Sequence, residues 1–155
     1  MVDVLVDVDV SGLEKLADRL EAELAGAVAK AAFLIEAYAK MNAPVDTGAL
    51  RASIYTSTWN GSQWSGAAAS ASALRSGVTI LADIGKPSSN LEAIVAVGVH
   101  YAAHVEYGTF RQAGRFYLSN AAMANLQPIR GLFAQAIQKA TRDAFAGSRL
   151  KLRAT

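Results

Sequence analysis

The residues best able to do chemistry lie in three short stretches. Val45-Asp46-Thr47-Gly48-Ala49 contains the Asp-Thr-Gly triplet with which aspartic proteases hold two carboxylates around one proton and activate water. A chain carrying one such triplet would supply the second aspartate as a homodimer. Those enzymes are built almost wholly of strands, and their triplet follows a buried strand, whereas here a long helical pattern ended by Pro44 precedes it. His100 and His104 have the spacing that puts two imidazoles on one helix face in zinc sites. Tyr101 occupies the place of the metalloprotease glutamate, and the nearby carboxylate is Glu106, so solvated or hydrogen-bonded histidines are expected. Gly85-Lys86-Pro87-Ser88 has the form of the end of a phosphate-binding loop, but Ile80 stands where the first glycine is required and Pro87 removes a backbone donor. No serine sits in a nucleophile elbow. The absence of cysteine removes disulfides, thiolate catalysis and cysteine-ligated metals. The residues thus point away from an enzyme, with no metal and no cofactor expected.

Composition narrows the class further. A chain of 155 residues, 52% hydrophobic and 18% charged, is globular in character and long enough for one core. Much of the apolar content is alanine, which packs helices closely but buries little area per residue, so part of the burial is expected from neighbours. Asp3, Asp7 and Asp9 stand where a secretory signal needs basic residues, and no run approaches the roughly 18 apolar residues of a membrane span. A soluble protein made in the cytoplasm, without a membrane partner, is expected. The net charge of +2 conceals an asymmetry: residues 1–50 hold nine acids and four bases, and residues 51–155 hold four acids and eleven bases. Such a split suits head-to-tail contacts between identical subunits, nucleic-acid proximity, or plain solvation.

The elements that must position these residues are readable from periodicity. Val2, Val4, Val6, Val8 and Val10 alternate as in a half-buried strand. Ser11 and Glu14 have capping-box spacing, and Leu13, Leu16, Leu20, Leu24, Val28, Ala31, Ile35 and Tyr38 predict one helix to about Met41, stopped by a left-handed Asn42 and by Pro44. Strands are predicted over 52–58, 78–83 and 93–99, with a Gly/Ser/Ala-rich loop over 60–77 and a turn through 85–90. A helix begins near Phe116 or Tyr117, and Pro128 should kink or restart it. Ile129, Leu132, Phe133, Ala136, Ile137, Ala140 and Ala144 then share one face. Residues 147–155 form a basic tail expected to fray unless a partner orders it.

Three segments carry a more specific signal. They are Ala43-Pro44-Val45-Asp46-Thr47-Gly48-Ala49-Leu50-Arg51-Ala52-Ser53-Ile54 after the long helix, His100-Tyr101-Ala102-Ala103-His104-Val105-Glu106-Tyr107-Gly108-Thr109 after a strand, and Gly114-Arg115-Phe116-Tyr117-Leu118 opening the last helical region. In that order, over roughly residues 11–146, the chain resembles the HK97-phage tail-component family, the gene-product-ten-like proteins encoded between head-completion and tail-tube genes. The third segment departs from the family's usual Arg-Pro-Phe-Leu by lacking the proline, and the Gly/Ser/Ala stretch is longer than expected.

Each segment also has a physical reading that requires no substrate. Pro44 ends the helix, Asp46 is expected to cap the following turn, Gly48 to permit a tight approach, and Leu50 and Ile54 to dock on the core. Tyr101, Val105 and Tyr107 are expected to pack a short helical turn against the sheet, and Glu106 to meet Arg51 or Arg115. The expected fold is α+β, two long helices packed on one face of an antiparallel sheet of about four strands, in a domain over residues 1–146. The resemblance implies a virion protein of the tail and neck region that completes the tail or joins it to the head. A tail-terminator role is the nearest alternative, and the aspartic-type protease the alternative of another class. Expected partners are further copies in a closed ring of six, neighbouring neck and tail proteins, and DNA only by proximity of bases such as Arg111, Arg115, Arg130 and Arg142.

Overall fold

The structure is a computed structural model that describes residues 4–7, 11–46, 48–60, 63–66, 86–146 and 151–154. The strand expected over 78–83 and most of the Gly/Ser/Ala-rich loop lie outside the described residues. In chain order, β1 (Val4–Asp7) precedes α1 (Ser11–Asn42), whose 32 residues make a rod of about 48 Å at 1.5 Å per residue. Its sequence is dominated by Ala, Leu, Glu and Lys, which lose least on entering a helix. Asn42 closes it otherwise than expected. It is not left-handed, and its side-chain amide donates to the Tyr38 carbonyl at 2.8 Å, adding a second bond across the last turn.

One helical turn, α2 (Ala49–Ala52), follows, so the strand predicted from Ala52 starts later, as β2 (Ile54–Asn60). Ser53 makes the switch: its N–H reaches the carbonyls of Ala49 and Leu50, and its hydroxyl donates to Leu50 at 2.8 Å. β2 pairs antiparallel with β3 (Gln63–Gly66) and with β4 (Ala93–Val97), Ile54 opposite Val97 and Thr58 opposite Ala93. The short helix α3 (Ala102–Tyr107), a tight hairpin of β5 (Gly108–Thr109) and β6 (Gln112–Ala113), α4 (Tyr117–Ala124) and α5 (Leu126–Phe145) complete the described chain with β7 (Lys151–Ala154). The break between α4 and α5 falls at Asn125, whose side chain donates to the Ala121 carbonyl at 2.7 Å. Pro128 therefore sits in the first turn of a restarted helix, where a missing N–H removes no ladder bond.

Two features correct the expected architecture. Among the described residues the strands form one three-stranded sheet in the order β3-β2-β4 and two two-stranded pairs, not a single sheet of about four. β1 does not join the central sheet, because it pairs with β7, the very tail expected to fray, Val4 opposite Ala154 and Asp7 opposite Lys151. Nor do both long helices lie on the sheet. α1 packs against β2 and β4, while α5 runs along α1 instead.

The α1–α5 seam is lined by small residues. Ala27 and Ala31 on one side and Ala136, Ala140 and Ala144 on the other are buried, and alanine's short side chain lets two helix axes approach closely. The leucines expected to form the buried stripe are only partly covered, Leu13 being 57% exposed. Lys139 pairs with Glu23, and Arg19 lies 3.9 Å from Asp143, an antiparallel ladder of opposite charges. Part of the acidic-to-basic asymmetry is thus satisfied within the chain. The main core gathers at the other end of α1: Ala39, Ala43, Leu50, Ile54, Val99, Tyr117 and Ala121, with Ile35, Val95, Tyr101, Val105 and Leu118 packed around them. All three motif segments contribute to it.

Candidate functional site

The segments that sequence analysis singled out converge where α1 ends. Two adjoining hollows share Pro44 and Arg115. One, of about 670 Å³, is lined by Tyr38, Asn42, Pro44, Arg115, Tyr117 and Met123, among others. The second, of about 310 Å³, is lined by Val45, Asp46, Gly48, Leu50, Tyr101, Val105 and Gln112 together with Pro44 and Arg115. Leu50, Tyr101 and Val105 belong to the core and also line the second hollow, whereas Tyr107, expected to pack with them, is 71% exposed.

Glu106 is the central surprise. It was expected to meet Arg51 or Arg115, yet it is only 5% exposed and its carboxylate accepts from the N–H of Leu118 (3.0 Å), the N–H of Ser119 (2.9 Å) and the Ser119 hydroxyl (2.5 Å). The reason lies at the start of α4. Its cap position is Phe116, which has no side-chain oxygen, so the free N–H groups of the first turn are satisfied by a carboxylate from α3 placed at the positive end of the helix. The backbone repeats the link: Arg115 N–H donates to Val105 O at 2.9 Å and Phe116 N–H to Glu106 O at 3.0 Å. Burial, with the charge of Glu106 second and Tyr101 third, pushes the Tyr117 phenol up to about 12.

Glycines make this junction possible. A Cβ on Gly114 would lie 2.5 Å from Glu106 O and 2.7 Å from the Tyr107 carbonyl carbon, and one on Gly108, at φ +86°, would lie 2.5 Å from Gly114 N. Gly48 acts differently from expectation. At φ +81° it turns the chain into α2, but a Cβ there would meet nothing within 4 Å, so conformation rather than close approach selects glycine. Asp46 is exposed, and no described group donates to it, so the expected cap is not made. Thr47 lies outside the described residues. Phe116 is the one non-glycine residue at positive φ among those described, at φ 50° and ψ 34°, and its ring is half exposed.

The chemistry weighed from sequence finds little support in this arrangement. Asp46 stands in an exposed turn between two helices rather than after a buried strand. His100 lies in the turn before α3, edge-on to Tyr101 at 5.4 Å between ring centroids, so it does not share a helix face with His104. Among the described residues no group of three or more His, Asp or Glu could hold a metal ion, and no helix is long and apolar enough to cross a membrane.

The arrangement offers instead a hollowed surface with apolar side chains left in solvent at its edge, Val45 and Met123 among them. Residues 11–108 match the family model HK97-gp10_like, "Bacteriophage HK97-gp10, putative tail-component". The chain belongs to this family. The matched span takes in α1, the Pro44-to-Ile54 segment and α3, and it ends at Gly108, before Arg115 and Phe116. No curated protein and no solved structure matches the chain. The family is one of phage tail components, which puts the chain among virion proteins that work with other structural proteins of the phage. Sequence reasoning quoted Gly114 and Tyr117 within the third segment without giving either a role of its own, and it missed Ser119 and Phe110. A glycine before Arg115 and a phenylalanine inside the polar turn Thr109-Phe110-Arg111-Gln112 were the available signals.

Proposed function

We propose that the protein completes the tail or joins it to the head in the virion neck, acting as a closed ring of six copies through residues 1–146. Residues 147–155 form its basic extension. The observation that carries this reading is the convergence of Pro44, Leu50, Tyr101, Val105 and Arg115, from three separated segments, on one hollowed and partly apolar surface. A surface of that kind suits contact with other proteins, since exposed apolar patches rimmed by charge mark assembly sites. In this reading Asp46, Gly48 and Arg51 shape the turn at its rim, and Glu106, Tyr107, Gly108, Thr109, Phe116 and Leu118 shape the hairpin and helix start that hold Arg115. Heterologous contacts between unlike surfaces of identical subunits close into rings.

Light scattering of the purified protein, at low and high salt and with purified tails added, tests this. A six-fold mass, or a monomer that joins tails stoichiometrically, is the expected result. A stable dimer indifferent to tails would overturn it, and loss of peptide cleavage in Asp46→Asn would then revive the protease.

A further inference from the structure

We propose that the β5–β6 hairpin is the protein's docking element for a different, acidic protein of the virion, with Phe110 entering an apolar cleft and Arg111 and Arg115 meeting carboxylates around it. The proposal rests on the tail-component reading and names the chemistry of one partner.

Phe110 is 92% exposed at the hairpin tip, more than any other large hydrophobic side chain among the described residues. It is held ready. The Arg111 guanidinium lies over its ring at 4.9 Å, and the Arg111 N–H donates to the Thr109 hydroxyl at 3.3 Å. The hairpin base is clamped by the Gly108–Gly114 contact and by the bonds from Arg115 and Phe116 back to α3. Phe116 beside it keeps a left-handed backbone, unfavourable for a residue with a Cβ. Local strain beside exposed aromatic and arginine side chains on a rigid loop is how binding hot spots are built.

The charges identify the partner. Arg111 and Arg115 are exposed and have no acidic partner among the described residues. Among the described residues most carboxylates of the chain are already bonded within it. Glu21 is bonded by Asn90, Glu23 by Lys139, Glu36 by Lys40, Glu92 by Ser88, Glu106 by α4, and Asp143 lies beside Arg19 and Arg142. Among the described side chains only Asp18 and Asp46 are without such a bond. A partner with an acidic surface around an apolar cleft answers both the guanidinia and the Phe110 ring. Duplex DNA would answer the arginines through its phosphates but would cover Phe110 only by prising a base step apart.

The test uses the whole protein, fluorescently labelled, and purified heads and tails from phage made without it. Binding is read by co-sedimentation, alongside solution mass, melting temperature and binding to a short DNA duplex. Phe110→Ser and Arg111→Glu should each weaken binding to heads or tails about thirtyfold or more, the scale of a hot-spot residue. Solution mass and melting temperature should not change. If the wild type is monomeric and these losses still appear, the ring falls and this proposal stands. Unchanged binding by both variants overturns it. So does a matching loss of self-association, which would make the hairpin a contact between copies, and so does a loss confined to Arg111→Glu that DNA binding shares.

Discussion

Replacing Glu106 by alanine removes the acceptor of three hydrogen bonds and leaves the N–H groups of Leu118 and Ser119 without their partner at the start of α4. Bonds to a charged acceptor contribute about 1.5–3 kcal/mol, and an unsatisfied buried donor costs about 1–3 kcal/mol. Leu118 is half-buried and Ser119 exposed, so water reaches part of the site and the lower end applies. About 1 kcal/mol for each of three bonds gives a loss of about 3 kcal/mol. For a domain of this size that is a fall of roughly 6–12 °C in Tm. Glu106→Gln keeps one acceptor and turns an amide N–H₂ toward a donor, so it should lose about half as much. The assay is thermal and urea unfolding of both variants with Ser119→Ala, whose hydroxyl accounts for one of the three bonds. A Glu106→Ala protein that melts with the wild type, or that loses no more than Ser119→Ala, would refute the capping argument. An assembly defect at unchanged stability would restore the surface role that the sequence suggested for this residue.

Gly114→Ala should cost about 2–3 kcal/mol in urea unfolding, because its Cβ would meet backbone rather than a movable side chain. Lys139→Ala should cost less than about 1 kcal/mol despite its pairing with Glu23, since an exposed pair is screened, and the difference should vanish at high salt. The Tyr117 phenol ionises at about 12 in the folded chain against 10.0 unfolded. The fold therefore favours the neutral form: that stability is complete below pH 10, declines above it and is gone past the folded value. In an alkaline titration followed by tyrosinate absorbance, one of the five tyrosines should lag the rest, and Tyr117→Phe should abolish the late phase.

The sequence by itself determined the elements whose cause is local. Helix-forming residues between Ser11 and Pro44 specify α1, short runs rich in β-branched residues specify β2 and β4, and Pro128 can be tolerated only near a helix start. The three motif segments also made the family legible, because residue identity and order survive without coordinates. What only tertiary structure decided is who meets whom. Sequence places Glu106 next to Tyr107 but cannot say that a cap is missing on a helix twelve residues later, since Phe116 reveals that need only once α3 and α4 lie side by side. Charge counts suggested contacts between subunits, and the antiparallel seam of α1 and α5 turned Glu23 and Lys139 toward each other within one chain. Alanine-rich helices made this unreadable in advance, because a face of alanines carries too little hydrophobic contrast to announce which side is buried.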